Sequence, residues 1–199
     1  MNYSVITKDC VNKIYTDDDP EIEMFEFKTK EEAEYYLRYG NIKEIEKNNI
    51  INVFTDGSCS MNGSINARAG IGIYFGEGDK KNVSKRINGK QTNNTAELSA
   101  VIEVFRVLKE EIEQGKNVII YTDSEYVLRC CTSYGLKCEK NNWEKSGGIP
   151  NVELIKSLYS LYNRYNNVQI QWIRAHTKNK DKLSIGNEGA DNLAKKALQ

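Results

Sequence analysis

The sequence lacks the marks of a secreted, zinc-bound or membrane-spanning protein. No apolar run approaches the roughly 18 residues that a membrane helix needs, so no membrane partner is expected. The first ten residues, MNYSVITKDC, carry no basic-then-apolar signal pattern. Cysteine occurs five times, at Cys10, Cys59, Cys130, Cys131 and Cys138, with no CxxC spacing and no Cys/His cluster. An odd, scattered set of this kind argues against a disulfide framework or a zinc site. It suits reduced thiols in an intracellular protein, in cytoplasm or nucleus. Histidine occurs once, at His176. There is no internal repeat and no long low-complexity tract.

The 199 residues are 39% hydrophobic and 28% charged, as in a soluble globular protein. That length suits one domain with room for a small second one. Formal charge is zero overall but unevenly spread. Residues 1–49 hold 7 Lys/Arg and 12 Asp/Glu, whereas residues 50–199 hold 21 and 16. The division near the polar segment 46–49 predicts a small acidic N-terminal segment, 1–49, and a larger domain, 50–199. The larger part has the sign expected of a nucleic-acid binder.

Local patterns predict the elements. Thr16–Pro20 (TDDDP) reads as a turn or loop, and residues 30–39 as a short amphipathic helix capped by Thr29. Residues 50–55 read as a strand running into an Asp56-Gly57-Ser58 turn, residues 69–75 as a second strand and Val83–Ile87 as a weaker third. The short separations suit an antiparallel meander. Leu98, Val101, Phe105, Leu108 and Ile112 make one apolar face of a helix over 95–113, with Glu97 in its first turn. A strand over 117–122 stops at Asp123. Helices follow over 125–132 and 151–163, then a strand over 168–173 and a last helix over 187–198. The order predicts an α/β fold, a mixed five-stranded sheet flanked by helices with three antiparallel strands first. A small αβ segment precedes it.

Asp56 and Asp123 both follow apolar strands, which makes full solvation less expected for them than for most carboxylates. Strand ends in such sheets are where ligands bind. Glu97 and Asp191 lie on helices. Carboxylates gathered in space repel one another unless cations neutralise them, and hard oxygen donors suit Mg²⁺ or Mn²⁺.

The local sequences Thr55-Asp56-Gly57-Ser58, Gly70-Ile71-Gly72, Thr92-Asn93-Asn94-Thr95-Ala96-Glu97, Tyr121-Thr122-Asp123-Ser124, Ala175-His176-Thr177 and Gly186-Asn187-Glu188-Gly189-Ala190-Asp191 stand in this order. Over about residues 50–198 the chain thereby resembles type 1 ribonuclease H, cellular and retroviral. The resemblance implies an endonuclease that hydrolyses the RNA strand of an RNA–DNA hybrid duplex, as a monomer, leaving 5′-phosphate and 3′-hydroxyl ends. It implies that Asp56, Glu97, Asp123 and Asp191 hold two divalent ions, Mg²⁺ with Mn²⁺ as substitute. His176 would be the family's mobile histidine, serving proton transfer or product release. The sequence departs from typical members in extra residues at Lys178–Ser184, which are open to two readings, a phosphate contact or a solvated insertion.

The resemblance also places substrate groups. Cys59, Ser60, Asn62, Asn93 and Asn94 match positions that read the 2′-hydroxyl side of the hybrid. Independently, Asn62-Gly63 reads as a turn and Asn93-Asn94 as a helix cap, and both readings can hold. Lys90, Thr92 and Asn151 match a pocket for DNA phosphate, with Lys90 lacking the bidentate geometry of the Arg in some members. Lys137, Lys140, Lys145 and Trp143 partly match a basic handle, where Cys138 replaces a Trp and Glu139 and Glu144 dilute the charge. Weaker or more salt-sensitive binding is expected. Trp143 is open to a second reading, packing on the neighbouring helix. Phe25–Leu37 resembles the end of a small hybrid-binding domain without its tryptophan. An accessory element is the alternative. Two rivals to the enzyme are a non-catalytic binding module, which the complete set of acids disfavours, and a fragment of a reverse-transcriptase polyprotein.

Overall fold

The computed structural model describes residues 3–8, 11–16, 25–27, 50–175 and 181–199. The chain divides into two compact units, Met1–Asn49 and Ile50–Gln199. In the first, strands β1 (Tyr3–Lys8), β2 (Val11–Thr16) and β3 (Phe25–Phe27) form an antiparallel sheet in the order β1-β2-β3. The helix expected over 30–39 lies outside the described residues, as do residues 17–20 of the expected turn.

The second unit is built on β4 (Ile50–Ser60), β5 (Arg68–Tyr74), β6 (Val83–Arg86), β7 (Asn117–Thr122) and β8 (Val168–Trp172). Its five-stranded sheet has the order β6-β5-β4-β7-β8. The β4–β5 and β5–β6 pairs are antiparallel, and β4–β7 and β7–β8 are parallel. The mixed sheet with its three antiparallel strands first is the architecture expected from sequence. Helices α1 (Asn93–Val107), α2 (Lys109–Glu113), α3 (Glu125–Cys131), α4 (Ser133–Lys140), α5 (Val152–Arg164) and α6 (Lys182–Lys196) complete it. The main core joins Val53 and Ile73 of the sheet, Val118 and Ile120 of β7, Leu98, Val101 and Val104 of α1, and Ile155 and Leu158 of α5, all buried. Burying one such side chain stabilises by about 1.5–3 kcal/mol, so this cluster dominates the unit's stability. Phe54, Tyr121, Ile173 and Ala190 form a second cluster, with the Phe54 and Tyr121 rings stacked at 4.8 Å. Among the described residues no helix is long and apolar enough to cross a membrane.

Five local expectations are corrected. Asp56-Gly57-Ser58 is not a turn. β4 runs on to Ser60, because β5 supplies ladder partners through Ser60↔Arg68. The first helix begins at Asn93, since Thr92 caps it by a reciprocal pair with Thr95, and Glu97 therefore lies beyond the first turn. That helix also breaks at Leu108, where the backbone turns to φ −104° and ψ 21° before α2. The last helix begins at Lys182 rather than 187, because the Asp181 carboxylate accepts from the Ser184 amide and starts it early. Part of the 178–184 insertion is thus helix. The stretch after residue 132, for which no helix was expected, forms α4.

Candidate active site

The parallel pairing of β4 with β7 aligns Thr55 with Thr122, and Thr55 Oγ1 donates to the Tyr121 carbonyl at 3.2 Å. One residue further along each strand stand Asp56 and Asp123. Alternation along a strand puts Asp56 on the same face as Phe54. Phe54 meets α6 at Gly186, where an added Cβ would lie 2.3 Å from its ring. On β5, Gly72 pairs with Asp56. A Cβ at Gly72 would stand 2.0 Å from the Ala190 carbonyl oxygen, so α6 rests on bare backbone there. This close approach carries Asp191, the next residue, to Asp56.

Glu97 arrives from the opposite face. Gly57 points toward α1, and a Cβ on it would fall 2.3 Å from the Glu97 nitrogen and 2.6 Å from the Ala96 carbonyl carbon. The missing side chain lets α1 press against β4, and Glu97 reaches the two aspartates. One carboxylate oxygen from each of Asp56, Glu97 and Asp123 lies within 4.8 Å of the others. Asp56 and Glu97 are 8% and 7% exposed, and Asp123 is half-buried.

Three carboxylates so close disfavour full ionisation. Burial, then the charges of Asp123 and Asp191, push the Asp56 carboxyl up to about 7, against the opposing amide of Gly57. Burial and the charges of Asp56 and Asp123 raise Glu97 well above the ordinary range. Glu97 Oε2 is buried with no hydrogen-bond partner. An orphaned carboxylate oxygen beside two further carboxylates is what a hard cation would satisfy, so the donor set fits a divalent metal ion.

Asp191 stands outside the 4.8 Å group. Its charge acts on Asp56, and its Oδ2 lies 2.6 Å from Lys195 Nζ. That bond raises the Lys195 ammonium. Sequence reasoning gave no role to two residues that hold Asp123. Asn187, 4% exposed, donates Nδ2 to Asp123 Oδ2 at 2.9 Å. The indole of Trp172 donates to the Asp123 carbonyl at 3.0 Å, while 41% of the residue remains exposed. Asn187 was visible only as part of a motif, and a helical Asn is as a rule a solvated residue.

The other expected residues fall into separate groups. Cys59 and Ser60 end β4, where Ser60 Oγ donates to the Arg68 carbonyl at 3.3 Å, and Asn62 lies in the exposed turn that follows. Asn93 and Asn94 are exposed at the start of α1, after the Thr92 cap. Lys90 and Asn151 line one cavity of about 440 Å³ with Thr95 and Ser99. Asn151 holds a left-handed backbone (φ 58°), and its Nδ2 reaches the Tyr126 hydroxyl at 3.4 Å. Trp143 packs as its second reading had it, edge-on to Tyr159 at 5.9 Å with Lys156 Nζ 5.8 Å from its ring centre. Cys138 is buried, and the four described cysteines are free thiols. His176 and residues 177–180 lie outside the described residues.

Comparison with known proteins agrees with this arrangement. The RNase H family model matches residues 48–199. A ribonuclease H of Orientia tsutsugamushi is 40% identical over 153 residues, spanning 74% of this chain and 82% of that protein. Human ribonuclease H1 is 34% identical over 147 residues, spanning 74% of this chain and 49% of that protein, so the chain matches about half of the human relative's length. The crystal structure of LC9-RNase H1, a type 1 RNase H with the type 2 active-site motif, superposes with a TM-score of 0.55 at 28% identity, covering 75% of this chain and 72% of that one. With the family model spanning the whole second unit and the carboxylates gathered where β4 passes the end of β7, the chain belongs to the ribonuclease H family of RNA-cleaving hydrolases.

Proposed function

We propose that residues 50–199 form an endonuclease that hydrolyses the RNA strand of RNA–DNA hybrids with two divalent cations, Mg²⁺ in first place and Mn²⁺ as substitute, leaving 5′-phosphate and 3′-hydroxyl ends. The observation that carries this is the meeting of Asp56, Glu97 and Asp123 within 4.8 Å, with one Glu97 oxygen buried and unpartnered. Asp56, Glu97 and Asp123 would hold one cation, and Asp56 with Asp191 the other. Bound divalent cations supply Lewis acidity, which activates a water and stabilises the leaving 3′ oxygen. The chain's own part is to fix the donors. Asn187 and Trp172 hold Asp123, and the bare backbone at Gly57 and Gly72 lets both helices bring their acids to β4.

In the same reading His176 moves protons or assists product release. Cys59, Ser60, Asn62, Asn93 and Asn94 face the RNA strand. The Lys90–Asn151 cavity, beside the Thr92 cap, takes a DNA phosphate, and Trp143 with Lys137, Lys140 and Lys145 steadies the hybrid. Residues 1–49 serve as an accessory or hybrid-binding-like element of a monomer that works inside a cell, a setting the free thiols suit.

The test is a cleavage assay on labelled RNA–DNA hybrid, double-stranded RNA and double-stranded DNA, each with Mg²⁺, Mn²⁺ or EDTA. Cleavage of the RNA strand of the hybrid alone, with a metal and not with EDTA, is expected. Asp123→Asn should abolish it. Equal cleavage in EDTA, or by the Asn variant, would refute the assignment.

A further inference from the structure

We propose that Lys195 is a resident counter-ion of Asp191 that competes with the divalent cation taken up between Asp56 and Asp191, so that the two cation positions of the site differ in affinity. The inference rests on reading the carboxylates as a metal site and goes beyond it by assigning a residue that tunes one half.

The two halves are built differently. At Asp56, Glu97 and Asp123 the oxygens already converge, and one of them is buried without a partner. Among the described residues no Lys or Arg is paired with any of these three. A cation entering there displaces no protein charge. Asp191 is in another condition. One turn further along α6, Lys195 places its ammonium 2.6 Å from Asp191 Oδ2, at the short end for a charge-assisted bond. The i,i+4 spacing with the acid nearer the N-terminus is the favourable orientation on a helix.

Exposure decides what this pair can do. The Asp191 side chain is 17% exposed, whereas that of Lys195 is 58% exposed. The acid is held in the site, and the ammonium reaches in from solvent on a flexible stem. It can swing out when a stronger cation arrives. Until then it offsets the repulsion between Asp191 and Asp56, whose charges act on each other. A second divalent ion must therefore displace the ammonium, and its apparent affinity falls by the strength of the pair. A partly exposed pair is worth about 1.5- to 5-fold in an equilibrium constant.

The test uses the full-length, metal-free protein without nucleic acid, at low salt. Free Mn²⁺ is followed by electron paramagnetic resonance during titration. The wild type is expected to show a tighter and a weaker class of Mn²⁺. In Lys195→Gln the weaker class should tighten by about 1.5- to 5-fold with the tighter class unchanged. If the wild type shows one class only, the variant should reveal the second. Lys195→Arg keeps the charge and should titrate as the wild type does. A weaker class that stays unchanged or loosens in Lys195→Gln overturns the proposal, the second result making Lys195 a support for Asp191 and not its competitor. Asp56→Asn separates the two levels. If it binds Mn²⁺ as well as the wild type does, the metal-site reading fails and this inference with it. If it loses binding while Lys195→Gln changes nothing, only this inference fails.

Discussion

Asn187 and Asp123 are joined by a 2.9 Å hydrogen bond between α6 and the end of β7, with the amide almost wholly buried. The bond fixes which Asp123 oxygen remains for the site. Residues that orient a metal-binding carboxylate typically affect affinity or activity by about 10- to 100-fold when removed. Asn187→Ala should lower the hydrolysis rate on hybrid by a factor in that range and weaken Mn²⁺ binding alongside. Retention of both would show that Asp123 is oriented without it. Thermal stability should fall by about 1–3 kcal/mol, since Asp123 loses a partner in a half-buried setting.

The raised carboxyls make stability depend on pH in an unusual direction. Asp56 moves from 3.8 to about 7, and Glu97 also moves up. In the window between ordinary and raised values the folded protein holds more protons than the unfolded one. Stability from these groups is thus full below about pH 4 and is lost as pH rises through about 7. In EDTA, the pH 5 protein should lose part of this contribution on going to pH 8, and Asp56→Asn should flatten the trend. Adding Mg²⁺ at pH 8 should restore stability by neutralising the cluster. Melting curves across this range check it. A wild-type profile parallel to that of Asp56→Asn would contradict the shift.

Much of this was legible in sequence because the chemistry sits on strongly patterned elements. The apolar run before Asp123 and the 3–4 spacing from Leu98 to Ile112 located a strand and a helix, and the six motifs tied them to one site. What was not legible depends on partners distant in sequence. Asp56-Gly57-Ser58 has turn composition, and only the pairing of Ser60 with Arg68 keeps it in a strand. The role of Gly57 appears once the Glu97 backbone is seen beside it. Asn187 differs from a solvated helical Asn only because Gly72 lets α6 settle on the sheet. The Thr92–Thr95 cap replaces the expected Asn93-Asn94 cap by one residue, a shift that local composition does not resolve.

Gly72 supplies a test of that packing. Any side chain there would meet the α6 backbone, at 2.0 Å from the Ala190 oxygen and 2.6 Å from the Ala194 nitrogen. Backbone cannot rotate away as a flexible side chain can. Gly72→Ala should therefore destabilise the protein by about 3 kcal/mol or more, as overpacking at the upper end of its range does. The helix should shift outward and take Asp191 from Asp56. Chemical denaturation gives the first effect, and Mn²⁺ titration of the folded fraction gives the second as loss of the weaker class. Normal stability in this variant would mean that α6 does not lie on β5 as described.

The cavity shared by Lys90 and Asn151 predicts an effect on binding and not on the chemical step. Glu97 shares α1 with Thr95 and Ser99 of its lining, but none of the four carboxylates lines it, and Lys90 and Asn151 come from the segment before α1 and the start of α5. A lysine that meets a backbone phosphate contributes a sequence-independent attraction and the release of counterions. Lys90→Ala should raise KM for hybrid while leaving kcat near the wild-type value. The slope of log affinity against log salt should become shallower by about 1, the change expected for one lost phosphate contact. If Lys90 meets the DNA strand, lengthening that strand beyond the cut should strengthen binding of the wild type more than of the variant. A fall in kcat with KM unchanged would place Lys90 at the reacting phosphate instead, and an unaltered salt slope would remove it from the interface.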